Sequence, residues 1–523
     1  MSISTTTTGA QTIAARNEWH AMHRPDAPAL IFADRVTTYR ELSRNANRTA
    51  HAMRAAGLGP GARAGYLGRE SDHYFTIAMA CAKAGVVLVP VNWRLTPYEV
   101  DHVLHDSGAE LLFVEREFHP VLDRIRAELP ALRTVVEMDS DDGLGAGFEA
   151  WRERHPVTRP PVHPGPDDPV GQLYTSGTTG LPKGVVLANR HCVTFIADMR
   201  AAGLDWIDWL PEDRSITCFT GLHAGGFTWF MHCMNVGAAV VVLRAFTPAD
   251  AVRLTEQHQV TTLWAAPAML RMILDEPTAT PERLSSLRQV VYGGSPIDPE
   301  LQERCMAGFP GKVVQGYAAA ETGSFVTALT ADEHTPGHPK LGSAGRVLPG
   351  CELKIVSATG ESLPSGQVGR ICLRSPAAFL EYFNRPEATA EMIRDGWLWM
   401  GDVGYLDEDG YLFLRDRLND TIIVAGQNIY PVEIETALRD HPALADVAVY
   451  GAPDKRWGEQ VRAAVVLRPG ADATPRDLVR FLRGRIADYK IPYHYRIVSE
   501  LPRNPTGKVL RRDLRDAEVR TGS

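Results

Sequence analysis

Tyr174-Thr-Ser-Gly-Thr-Thr-Gly-Leu-Pro-Lys-Gly-Val185 decides how the rest of the chain is read. Hydroxyls at Thr175, Ser176, Thr178 and Thr179 alternate with Gly177, Gly180 and Gly184, and Lys183 follows Pro182. The flanks, Val170 to Tyr174 and Val185 to Leu187, read as short strands, so a glycine-rich loop is set in a sheet. Glycine frees backbone N–H groups to point inward as an anion-binding nest, hydroxyls add donors, and the lysine adds charge. That combination suits a polyphosphate. The spacing is not Gly-x4-Gly-Lys-Ser/Thr, which occurs nowhere in the chain.

Outward from the loop, strand and helix signals alternate. Thr38 with Glu41 makes a capping-box pattern before Leu42, Ala46, Ala50 and Met53, and Gly57 ends that helix. A strand follows near Ala62 to Leu67, then a helix with Ile77 and Met79, then a strand over Val86 to Val91. Thr96, Pro97 and Glu99 supply a cap, a first-turn proline and an acid for the next helix, and Leu111 to Val114 is a strand. This rhythm predicts an α/β fold with mostly parallel sheet. The proline-rich segment 156–169 is a connector into the loop. Beyond it, strands are predicted at Ala238–Leu243, within the apolar run Val236 to Leu243, and at Thr261–Ala265 and Gln289–Gly293; short strands with Gly and Pro turns from Pro349 to Leu414 predict a β-rich subdomain. A boundary near Arg417–Asn419 divides the chain into residues 1–418 and a small mobile α+β unit over residues 419–523. In that unit Val461 to Leu467 reads as a strand, and Thr474, Pro475 and Asp477 start a helix carrying Leu478, Val479, Leu482 and Ile486.

Composition bounds the function. The 523 residues are 44% hydrophobic and 23% charged, ordinary for a soluble globular chain with a large core. A formal charge of -8 argues against nucleic acid as the main partner. Seven scattered cysteines form no CxxC pair and fit a reduced cytoplasm; the 17 histidines form no HExxH pattern. No signal peptide and no apolar run of membrane-spanning length is present, so a cytoplasmic location is expected.

Four further stretches follow the loop. They are Gly221-Leu-His-Ala-Gly-Gly-Phe227; Val291-Tyr-Gly-Gly-Ser-Pro296 with Gln315-Gly-Tyr-Ala-Ala-Ala-Glu-Thr322; Trp397-Leu-Trp-Met-Gly-Asp402 with Arg415-Asp-Arg-Leu-Asn-Asp420; and Asn504-Pro-Thr-Gly-Lys508. In this order, and over nearly the whole chain, they resemble the adenylate-forming superfamily of acyl-CoA synthetases and related ligases. The resemblance implies that the loop, from Thr175, Ser176, Gly177, Thr178, Thr179 and Gly180 to Lys183, holds the β- and γ-phosphates of ATP. It implies that His223 guards the acyl pocket near the phosphates. Gly293, Gly294 and Ser295, with Gln315, Gly316 and Tyr317, would wall the adenine and acyl pocket, and Tyr317 would lie against the adenine. Glu321 is the implied Mg²⁺ ligand, a single carboxylate sharing the ion with phosphate oxygens. Asp402 would take the ribose hydroxyls, with Arg417 assisting, and Lys508 would balance charge as a carboxylate attacks the α-phosphate. Gly426, in Val424-Ala-Gly-Gln-Asn-Ile-Tyr430, and Trp457 would border a tunnel for the pantetheine arm of CoA.

The chain departs from the family pattern at four places. Ala318 and Ala320 replace the usual Gly and Thr before Glu321, Met400 stands where Thr is usual, and Asn419 occupies the hinge. The missing threonine removes one hydrogen bond to the α-phosphate, worth about 1 kcal/mol. The resemblance implies an AMP-forming ligase that joins a carboxylic acid to CoA with ATP and Mg²⁺. Two alternatives stay open: an adenylating enzyme with another acid or acceptor (a carrier protein, an amine, or nitrite activated for N–N bond formation), and a nucleotide-binding protein without catalysis. The intact Lys183, Glu321, Asp402, Arg417 and Lys508 argue against the last.

Overall fold

The computed structural model describes residues 11–176, 182–204, 207–295, 297, 299–357, 359–417, 422–425, 427–429, 431–502, 509, 511 and 513–516. Local signals act where they were read. Thr38 and Thr96 each accept from the backbone N–H three residues on, while Glu41 and Glu99 reach back to the cap N–H, and the helices Tyr39–Ala55 and Pro97–Ser107 follow. The apolar runs pair as parallel strands: Arg63–Leu67 lies between Val87–Val91 and Leu111–Val114. Their residues are buried on both faces, which is why the sequence there lacks alternation.

Two large sheets carry the N-terminal part. One runs, in spatial order, Glu381–Tyr382, Pro182–Ala188, Pro169–Ser176, Val87–Val91, Arg63–Leu67, Leu111–Val114 and Thr134–Glu137. The other has Gln289–Gly293 flanked by Thr262–Ala265 and Lys312–Tyr317, all parallel, with antiparallel strands at its edges. Helices pack between and around them in one large apolar core, and a second cluster packs Leu67, Val89 and Leu112 against Val103 and Leu122. A five-stranded sheet built on Gly369–Arg374 and Trp397–Leu406 forms the expected β-rich subdomain. From Ile422 onward the chain has its own sheet, with Leu444–Asp454 against Gly458–Leu467, and its own core around Ile434, Leu438, Val449 and Leu482. The α/β fold with a separate C-terminal unit is therefore as expected.

Two expectations need correction. The helix after Thr474 spans Pro475–Leu482 and stops short of Ile486, because Gly484 turns the chain at a φ of +77°. The apolar run at Val236–Leu243 is mixed: Val236 ends the helix Ala224–Val236, Gly237 caps it at a φ of +90°, and only Ala239–Val241 is strand.

Candidate active site

The opening loop lies on an antiparallel hairpin. Thr175 pairs with Lys183 and Ser176 with Pro182 across its arms. Gly177, Thr178, Thr179 and Gly180 fall outside the described residues, as do Gly426 and Lys508. What the structure describes is the base of the loop, where Thr175 and Lys183 open onto a cavity of about 380 Å³.

Three strands converge there. Lys183 projects from one, and its ammonium sits 5.1 Å from the centre of the Tyr382 ring. Tyr382 is on the neighbouring strand, paired with Val185, and its hydroxyl donates to Glu321 Oε1 at 2.6 Å. Glu321 sits in the short helix Ala320–Thr322 just past the strand Lys312–Tyr317, and its carbonyl accepts from Phe379 N–H at 2.9 Å. A cation, a phenol and a carboxylate thus stand side by side, the carboxylate aligned by the phenol. Glu321 offers a hard oxygen donor beside the Lys183 hairpin, which fits Mg²⁺ shared with phosphate oxygens. Sequence reasoning found Lys183 and Glu321 and missed Tyr382, which belongs to no motif quoted above.

Across the cavity, Asp402 on Trp397–Leu406 accepts from the Tyr317 hydroxyl at 2.6 Å. Arg417 pairs with Asp402 through the backbone of the adjoining strand. Tyr317, Asp402 and Arg417 are therefore brought to one edge. Met400 lines the cavity, and its carbonyl accepts from Arg370 Nε at 2.7 Å.

Gly294 and Gly316 line the cavity, but the glycines on the two parallel strands also serve the sheet itself. A Cβ on Gly293 would lie 2.2 Å from the Gly316 carbonyl oxygen, and one on Gly316 would lie 2.4 Å from the Phe325 ring. Close packing of strand on strand, as well as approach by a ligand, requires glycine here. Gln315 is buried, and its amide oxygen accepts from Tyr292 at 3.3 Å. Ser295 is half-buried at the strand end.

His223 is the N-cap of the helix Ala224–Val236, and its Nδ1 accepts from Gly225 N–H at 3.4 Å. That contact leaves the proton on Nε2. Burial holds the imidazole below its ordinary pKa, so His223 presents a neutral N–H donor to the cavity. Behind it stands an aromatic wall. Phe219, Trp229 and Phe325 surround Trp264 at ring separations of 4.9, 5.6 and 5.2 Å. His232 Nε2 meets Ser324 Oγ at 3.0 Å in the same lining, and burial lowers its pKa to about 3.

The alanines keep the place the sequence assigns them: Ala318, Ala319 and Ala320 all line the cavity. Thr322 does not substitute for a hydroxyl at 320. It is fully buried, and its hydroxyl is engaged with Ala319 N–H, Ala319 C=O and Ser324 C=O.

A second cavity, of about 500 Å³, runs between the N-terminal part and the C-terminal unit. Glu70, Trp93 and Arg94 line it from one side, Ala425, Gln427 and Trp457 from the other, and Phe219 faces both cavities. Trp457 holds the Ala425 turn, its carbonyl accepting from Ala425 N–H at 2.8 Å. Glu70 Oε1 accepts from Gly221 N–H at 2.6 Å, and burial raises its pKa to about 7.

Among the described residues no helix is long and apolar enough to cross a membrane. A family model described as AMP-binding enzyme matches residues 17–383, and one described as AMP-binding enzyme C-terminal domain matches residues 433–508. A fatty acid–[acyl-carrier-protein] ligase, ScoC, of Streptomyces coeruleorubidus is 48% identical over 97% of this chain and 96% of its own. The o-succinylbenzoate CoA synthetase MenE of Bacillus subtilis, a double mutant bound with a product analogue, superposes with a TM-score of 0.84 at 31% identity, covering 96% of this chain and 98% of its own. The same enzyme in complex with AMP gives 0.69 at 30% identity, covering 96% and 98%. The amide bond synthetase McbA of Marinactinospora thermotolerans gives 0.85 at 29% identity, covering 97% and 99%.

Proposed function

The chain belongs to the AMP-binding enzyme family, and from that premise we propose that it condenses a carboxylic acid with ATP to acyl-AMP and pyrophosphate, then passes the acyl group to the thiol of CoA. The observation that carries this reading is the second cavity, which leads from the domain boundary to Phe219 at the edge of the first. A cavity that meets the first at Phe219 suits a flexible pantetheine arm. The carrier-protein form of the same arm is a second reading, supported by the 48% identity to a ligase of acyl-carrier protein.

Residues 1–418 act as the adenylation domain and 419–523 as a mobile C-terminal domain. In the first step an oxygen of the acid attacks the α-phosphorus and the bond to pyrophosphate breaks. Lys183 and the hairpin hydroxyls hold the leaving phosphates. Glu321, aligned by Tyr382, would hold Mg²⁺, whose charge would neutralise that of the phosphates. Asp402 and Tyr317 hold the nucleoside, and Lys508 steadies the charge developing at the α-phosphate. His223 gives a neutral N–H to an oxygen near the acyl carbon. In the second step the sulfur bonds to the acyl carbon, the thiol proton goes to solvent, and AMP leaves. The Gly426 loop and Trp457 guide the arm. No protein nucleophile takes part.

The test is pyrophosphate release across a panel of acids, followed by thioester analysis with CoA and with a phosphopantetheinylated carrier protein. Acid-dependent pyrophosphate with CoA thioester supports the reading. Thioester on the carrier protein alone supports the second form, and no acid-dependent pyrophosphate overturns both.

A further inference from the structure

Lys490 belongs to the C-terminal unit, at the end of the short turn Asp488–Lys490. Its ammonium lies 2.7 Å from Glu433 Oε1, on the helix Pro431–Arg439 of its own unit. It also lies 2.7 Å from Glu99 Oε1, on the helix Pro97–Ser107 of the N-terminal part. The three side chains are only 2%, 6% and 3% exposed. Glu99 has two tasks: its other oxygen, Oε2, accepts from the Thr96 N–H and hydroxyl, both at 2.9 Å, and so caps its own helix.

One ammonium between two carboxylates is a charged cluster in a dry place. Burial, with the Glu99 charge beside it, pushes the Glu433 carboxyl up to about 7. Burial also opposes ionisation of Glu99, but the Lys490 charge and the hydrogen bonds around it hold that carboxyl below its ordinary value. Such a cluster adds little net stability, because desolvation cancels most of the attraction. It is instead demanding about geometry: an orientation that buries these groups without pairing them is strongly disfavoured. A contact that costs little to break and tolerates little misplacement suits a joint that must open and reclose in one position.

Its location matches that task. Tyr489 and Ile491, on either side of Lys490, line the second cavity, and so does Arg94, close in sequence to Glu99. The chain superposes on MenE with the product analogue at a TM-score of 0.84 and on MenE with AMP at 0.69, a difference between those two structures.

We propose that Lys490 is a positioning residue for acyl transfer, pairing with Glu99 to lock the two units in the orientation that completes the second cavity. The proposal rests on the two-step reading above. Glu99→Gln tests it cleanly, because glutamine serves a capping box as glutamate does and only the charge across the boundary is lost. Lys490→Met is the companion variant. Three quantities are measured: acid-dependent ATP–pyrophosphate exchange, single-turnover thioester formation from preformed acyl-AMP with saturating CoA, and the distance between spin labels at the exposed positions Val36 and Arg480, each changed to cysteine. In Glu99→Gln, exchange stays within about twofold of the unmodified protein, thioester formation falls at least about tenfold, and the distance distribution broadens. Equal losses in both half-reactions, or a distribution as narrow as the parent's in both variants, overturns the proposal. If no acid supports exchange in the parent, the two-step reading fails. The labels then still decide the lock, which stands if the distribution broadens and falls if it does not.

Discussion

The Tyr317 hydroxyl donates to Asp402 Oδ2 at 2.6 Å, joining the end of a strand in the nine-stranded sheet to the sheet of the β-rich subdomain. The bond fixes the carboxylate assigned to the ribose before nucleotide arrives. Tyr317→Phe keeps the ring and loses the bond. Removing a hydrogen bond to a charged group costs about 1.5–3 kcal/mol. The expected result is a KM for ATP raised about tenfold or more, with kcat changed less, read from pyrophosphate release at varied ATP.

Tyr382 does the same for Glu321 from the opposite wall. In Tyr382→Phe the carboxylate loses its alignment. The Mg²⁺ concentration for half-maximal adenylation is expected to rise about tenfold, while Kd for AMP measured without metal stays unchanged.

Ala320 lines the cavity at the position where the family resemblance implies a threonine hydroxyl on the α-phosphate. The cavity is open at this residue, and Thr322 is committed elsewhere. Ala320→Thr is expected to raise kcat/KM for adenylation about fivefold, the equivalent of one neutral hydrogen bond. No gain in the exchange rate would show that the acid, rather than a missing donor, requires alanine there.

Glu70 supplies a pH dependence. Its pKa in the folded protein is raised from 4.5 to about 7, chiefly by burial. The folded protein therefore keeps a proton that the unfolded chain gives up across this window, and stability falls as pH rises through it. The contribution is fully present below about 4.5 and lost above about 7, a change on the order of 3 kcal/mol. Glu70→Gln can still accept from Gly221 N–H. Its melting temperature is expected to decline less than the parent's between pH 5 and pH 8, in thermal melts of both proteins; parallel curves would refute the assignment.

Much of this fold is legible because it is locally determined. The capping boxes at Thr38 and Thr96 act over three residues, and the parallel strands are continuous apolar runs. The motifs named Lys183, Glu321 and Asp402, and all three line the cavity. What stayed hidden depends on distance along the chain. Tyr382 meets Glu321 across 61 residues and Lys490 meets Glu99 across 391. No periodicity reports such pairs. The aromatic wall is hidden for a related reason: Phe219, Trp264 and Phe325 come from three segments, and each alone reads as an ordinary core residue. The helix predicted to reach Ile486 failed where a single glycine at positive φ outweighed the apolar spacing.

Phe219 faces both cavities, and that has a bearing on waste. An acyl-adenylate is a mixed anhydride, and water as well as a thiol cleaves it. In the proposed reaction the Phe219 ring, lining both cavities, would limit the water that reaches the intermediate from the second one. Under the reaction proposed above, product formed per ATP spent would depend on this one ring, which stands between the acyl group in one cavity and the arm in the other.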